Sequence, residues 1–100
     1  MDVIEINGVH IAYRHRPGLG RTVVFANSLG SDQSLWDEVI EALPRGYGVL
    51  TYDLRGHGLS SGQTDSIEGL ADDVSQLIDA LQITDVLYCG VSIGGMIGQV

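Results

Sequence analysis

One hundred residues at 10.7 kDa allow one small domain or a portion of a larger one. With 44% hydrophobic and 18% charged residues the composition is globular, which excludes a disordered tail or linker. Thirteen acidic side chains against five arginines give −8 at pH 7, so neither a nucleic-acid backbone nor an anionic membrane surface is an expected partner.

The first element is a hairpin: Ile4 and Ile6 alternate with polar neighbours, Asn7-Gly8 supplies a tight turn, and Val9, Ile11 and Tyr13 resume the alternation. Arg14 to Gly20 reads as a polar loop. Thr22 to Ala26 is a continuous apolar run, the pattern of a strand covered on both faces. Ser31 or Asp32 can cap a helix with apolar positions Leu35, Trp36, Val39, Ile40 and Leu43, stopped by Pro44 and Gly46. Val49 to Tyr52 is a second buried strand, followed by a glycine-rich loop from Asp53 to Gln63.

Asp65 and Glu68 have capping-box spacing ahead of an apolar stripe formed by Ile67, Leu70, Ala71, Val74, Leu77, Ile78 and Leu81. Asp72, Asp73, Gln76 and Asp79 are expected on its solvated flank. Val86 to Cys89 reads as a third buried strand, with Cys89 an inert core thiol. Ile93, Met96, Ile97 and Val100 begin another helix. Alternating strands and helices after a hairpin imply an α/β fold with parallel strands and right-handed crossovers.

Between the last strand and the last helix lies Gly90-Val91-Ser92-Ile93-Gly94-Gly95, a G-x-S-x-G pattern in a strand-to-helix setting. Such a turn needs glycines two residues either side because side chains there would collide with the strained bend. It presents Ser92 at a helix N-terminus, where the Ile93 amide and the helix dipole favour a developing oxyanion. The second amide of an oxyanion hole belongs to the loop after an earlier strand, which makes Leu29 in Asn27-Ser28-Leu29-Gly30 the candidate.

With these motifs in place the sequence resembles the α/β-hydrolase superfamily, and within it the 3-oxoadipate enol-lactonases. Phe25 to Asp32 resembles that family's oxyanion loop, with Asn-Ser where His-Gly is commoner. Tyr52 to Ser61, Leu70 to Asp73 and Cys89 to Met96 extend the likeness; Ile93 departs from the usual leucine or methionine. The resemblance implies that residues 1–100 are the N-terminal portion of one such domain, ending inside the nucleophile helix. It also implies a small-molecule ester or lactone substrate attacked by Ser92, with Leu29 and Ile93 holding the oxyanion. A general carboxylesterase or perhydrolase, or a non-catalytic self-associating fragment, is the alternative.

In this fold the triad acid and histidine follow the serine, and residues 93 to 100 contain neither. A complementary C-terminal chain or self-association is therefore expected, with no turnover by this chain alone. The loop carrying Asp53 and His57 is expected to make structural hydrogen bonds, and the third strand to separate the fourth from the fifth. His10 and His15 read as surface residues. No cofactor is expected, and no histidine pair has recurrent metal-ligand spacing. A single cysteine, no signal peptide and no apolar run of about 20 residues point to a cytoplasmic protein.

Overall fold

The computed structural model describes residues 2–27, 32–44, 46–62, 66–90 and 97. Strands β1 (Asp2–Ile6) and β2 (Val9–Arg16) form the hairpin, turning at Asn7 (φ 50°) and Gly8 (φ 81°). Two successive positive φ angles match the right-handed twist of the strands, which is why Asn-Gly suits this turn. β2 runs through Arg16, beyond the expected loop start at Arg14, because its other edge pairs with a further strand from Tyr13 to Arg16.

β3 (Thr22–Ala26) and β4 (Gly48–Tyr52) are buried at every position, as their apolar runs require. The sheet order is β1-β2-β4-β3-β5, with β5 spanning Val86–Gly90. β2 meets β4 antiparallel, whereas β4, β3 and β5 are parallel. β3 thus lies between β4 and β5, as the resemblance implies.

Helix α1 (Asp37–Ala42) continues from a 3-10 turn at Gln33–Trp36, capped by Asp32, whose carboxylate accepts the Ser34 amide at 2.9 Å. Starting with about three residues per turn rotates the inward face relative to a regular helix. Gln33 and Trp36 are buried and Ile40 and Leu43 pack inward, while Leu35 and Val39, expected inside, are 49% and 46% exposed. The inward residues cover Val23, Phe25 and Val49 on one face of the sheet. The Phe25 and Trp36 rings lie 4.9 Å apart at 37°, a tilted pair contributing about 1 kcal/mol beyond area burial.

Helix α2 (Ile67–Ala80) covers the other face. Leu70, Val74 and Leu77 are buried, and Ile67, Ala71, Ile78 and Leu81 pack beside them on Ile6, Ile11, Val24 and Leu50. Each fully buried leucine contributes about 2 kcal/mol. The cap is Ser66, whose hydroxyl accepts the Gly69 amide at 3.1 Å; Asp65 lies outside the described residues. Ile97 is helical and buried in the same cluster, whereas Ile93, Met96 and Val100 lie outside the description.

Two expectations are corrected. Asp73 is buried, not solvated, because it pairs with Arg55 at 2.6 Å. Among the described residues β5 is covered on one face only: Val86 and Tyr88 join the α2 cluster, but Leu87 is 36% exposed and Cys89 is exposed. The residues from the 3-10 turn and α1 cover β3 and β4 on that second face, and among the described residues nothing extends the layer over β5. Cys89 is therefore no core thiol. Among the described residues no helix is long and apolar enough to cross a membrane.

Candidate active site

Parallel strands deliver their C-terminal ends to one edge of a sheet, and ligands of α/β folds bind at that edge. Here Ala26 is in register with Gly90, and Phe25 with Thr51. The chain therefore leaves β3, β4 and β5 side by side, β3 in the middle. Asn27 follows β3, Asp53 follows β4, and residue 91 follows β5.

Asn27 is fully buried, and both ends of its amide are engaged. Its Oδ1 accepts the Trp36 indole N–H at 2.7 Å, and its Nδ2 donates to the Tyr52 carbonyl at 3.0 Å. A polar side chain at this depth is tolerated because the bonds replace those lost to water. The end of β3 is thereby fixed to the end of β4 and to the 3-10 turn.

Asp53 is also buried, and its carboxylate organises the next loop. Oδ1 accepts the Gln33 amide at 2.8 Å, and Oδ2 accepts the Leu59 amide at 3.0 Å. Ser60 donates to the Asp53 carbonyl at 2.7 Å and accepts the Ala12 amide at 2.9 Å, seating the loop against β2. Gly58 has φ +51°, and a Cβ there would fall 2.4 Å from Asp53 Oδ2, so glycine is required by both backbone and contact.

Gln33 completes the junction. Its Nε2 donates to the Ala12 carbonyl at 3.3 Å, and its Oε1 accepts the Thr51 hydroxyl at 2.6 Å. Arg14 donates to Gln33 Oε1, Thr51 Oγ1 and Asp37 Oδ1, neutralising an otherwise acidic turn. Asp32, at the surface, is held below the ordinary carboxylate range by the hydroxyl and amide of Ser34.

Beneath the edge, Tyr52 and Tyr88 join one buried cluster from β4 and β5. Burial, then the neighbouring Tyr88 phenol, pushes Tyr52 well above its usual range. Burial likewise raises Tyr88, to about 12. Both phenols are neutral at physiological pH.

Ser92, Leu29 and Ile93, the expected nucleophile and oxyanion donors, lie outside the described residues. What the structure shows is their approach: the strands that lead to them are adjacent and in register. Asp53 and His57 do not make a catalytic pair, since the Asp53 oxygens hold the Gln33 and Leu59 amides while His57 Nδ1 lies 3.1 Å from the Arg55 carbonyl. That agrees with the structural role expected of their loop. His10 is exposed and His15 half-buried. Among the described residues no group of three or more His, Cys, Asp or Glu could hold a metal ion.

Sequence reasoning missed Asn27, Gln33 and Asp73 as buried polar anchors. Asp73 carried a signal: it lies three residues after Leu70 and four before Leu77, on the edge of the apolar stripe. Asn27 carried a weaker one, as the polar residue closing a fully apolar strand.

The α/beta hydrolase fold family model matches residues 21–100. Two 3-oxoadipate enol-lactonases of Acinetobacter baylyi are 38% identical over 94 residues and 39% identical over 98. These matches take in 93% and 96% of this chain but 32% and 35% of the relatives, so the chain spans about a third of their length. The crystal structure of the enol-lactonase from Burkholderia xenovorans superimposes with a TM-score of 0.90 at 38% identity, covering 97% of this chain and 39% of that one. The chain belongs to the α/β-hydrolase fold family.

Proposed function

We propose that this chain is the nucleophile-bearing part of a serine hydrolase that opens a carboxylic ester or lactone, with 3-oxoadipate enol-lactone as its substrate. The observation that carries the reading is the register of Ala26 with Gly90. It brings the strand before the Asn27-Ser28-Leu29-Gly30 loop beside the strand before Gly90-Val91-Ser92-Ile93-Gly94. Identity to two enol-lactonases across more than nine-tenths of the chain supports the substrate.

In this mechanism the Ser92 oxygen attacks the lactone carbonyl, and a histidine takes the hydroxyl proton as the C–O bond forms. The amides of Leu29 and Ile93 donate to the oxyanion; losing one such donor costs about 10² to 10³ in kcat. Collapse breaks the ring acyl–oxygen bond, and the histidine returns its proton to the enolate oxygen. Water, deprotonated by the same histidine, then attacks the acyl carbon; the bond to the Ser92 oxygen breaks as the histidine returns the proton to it, and the released enol acid tautomerises to the open 3-oxo acid. We assign the acid and histidine of the triad to polypeptide outside these residues, covalently continuous or docked as a complementary chain along β5. The single cysteine, which leaves no disulfide framework within these residues, supports a reducing, cytoplasmic setting.

A fluorophosphonate probe followed by peptide mapping tests the reading in the active protein that carries this sequence. Label on Ser92, abolished in Ser92→Ala, is the expected result; label elsewhere, or none, overturns it. Faster turnover of the enol-lactone than of simple aryl esters is expected, and the reverse order would assign a general esterase instead.

A further inference from the structure

We infer that Asn27 is a positioning residue for the oxyanion-binding loop, acting through its side-chain clamp on Trp36 and Tyr52. The inference rests on the proposed reading of residues 27–30 as that loop and adds a residue whose side chain has no part in the chemistry itself.

Asn27 is the point at which the chain leaves β3, two residues before Leu29. Its side chain bonds to two separate elements, the indole of Trp36 at 2.7 Å and the carbonyl of Tyr52 at 3.0 Å. Donor and acceptor sit at opposite ends of one planar amide, so satisfying both fixes its torsions and the direction in which the backbone departs. Neither partner is easily moved. Trp36 is 5% exposed and stacked against Phe25, and Tyr52 ends a fully buried strand.

The far side of the same segment has its own anchor. Gln33 is 2% exposed, its amide is held by Asp53 and its side chain by Thr51 and Ala12. Positions 27 and 33 therefore bracket the loop with buried, doubly bonded amides. Catalytic donors must be held to within about 0.5 Å of the developing charge, and a misplacement of about 1 Å can cost 10²-fold. An asparagine with only a folding role would affect stability without selectively affecting the transition state.

The test uses Asn27→Ala and Trp36→Phe in the active protein that carries this sequence. Both remove the 2.7 Å bond, and the second keeps an aromatic ring in the core. Thermal melts establish folding, and kcat and KM are measured separately. The expected result is a fall in kcat of about 10- to 100-fold for Asn27→Ala and a smaller fall for Trp36→Phe, with KM within about twofold. A kcat within about twofold of the unsubstituted protein, or a loss confined to KM, overturns the inference. Asn27→Ala decides where it folds; where it does not, Trp36→Phe decides. Fluorophosphonate labelling of the unsubstituted protein separates the two failures. Without label on Ser92 the proposed function itself falls, whereas label with unaltered kcat in the variants removes only the role of Asn27.

Discussion

Arg55, in the loop after β4, grips Asp73 in α2 through two bonds, Nε to Oδ2 at 2.6 Å and Nη2 to Oδ1 at 2.9 Å. Both side chains are largely out of solvent, at 14% and 4% exposure. Asn7, in the turn between β1 and β2, donates to Asp73 as well at 3.0 Å, and to Asp72 at 2.8 Å. One buried carboxylate thus joins the hairpin, the loop at the sheet edge and the helix beneath them.

A buried pair of this kind is sensitive to removal of one partner, because the other charge is left desolvated. Arg55→Met is expected to lower unfolding stability by about 3–5 kcal/mol. The double change Arg55→Met with Asp73→Leu is expected to recover most of that loss, since no isolated charge remains. Urea midpoints of the two single variants and the double variant check this. A double variant as unstable as Arg55→Met would show that the damage is not electrostatic.

How much of this was legible in the sequence depends on how local the cause was. The Asn7-Gly8 turn, the fully buried β3 and β4 and the α2 stripe were all readable, because turn chemistry and periodicity act over a few residues. The Ser66 cap was not, since the capping-box spacing of Asp65 and Glu68 points one residue earlier. Asp73 was read as solvated because its partner Arg55 lies 18 residues away and Asn7 lies 66 away. Cys89 was read as buried because an apolar run specifies a strand but not how many of its faces are covered. Of the candidate site, the two strands that lead toward Leu29 and Ser92 were legible, whereas the clamp made by Asn27 depends on Trp36 and Tyr52, 9 and 25 residues on.

Gly58 and Gly8 both have positive φ, at +51° and +81°, but only Gly58 is enclosed. A Cβ at Gly8 meets nothing within 4 Å, while one at Gly58 falls 2.4 Å from Asp53 Oδ2 and 2.5 Å from its Cγ. Gly8→Ala is expected to cost only the backbone strain, about 1–2 kcal/mol. Gly58→Ala adds the displacement of a carboxylate holding two amides, and is expected to exceed Gly8→Ala by about 2 kcal/mol. In an Asp53→Ala background that excess should vanish. Chemical denaturation of the four variants checks it, and an excess persisting without Asp53 would place its cause elsewhere.

Alkaline pH supplies the last prediction. The ordinary phenol value is 10.0, while in the folded chain Tyr88 is raised to about 12 and Tyr52 well above its usual range. Both are shifted first by burial, and for Tyr52 the Tyr88 phenol and the Asp73 carboxylate add to it. Their folded values exceed the unfolded ones, so the unfolded chain releases these protons first. Stability is therefore fully present below pH 10 and declines as pH rises from 10 through 12. Over that window Tyr52 adds to the decline, because its buried phenol stays protonated while the unfolded one ionises. Tyr52→Phe keeps the ring in the core and removes the titrating group. It is expected to lose stability less steeply than the unsubstituted protein above pH 10 and in parallel with it below. Urea midpoints at pH 8, 10 and 11 measure both slopes, and parallel curves throughout would show that Tyr52 does not govern alkaline unfolding.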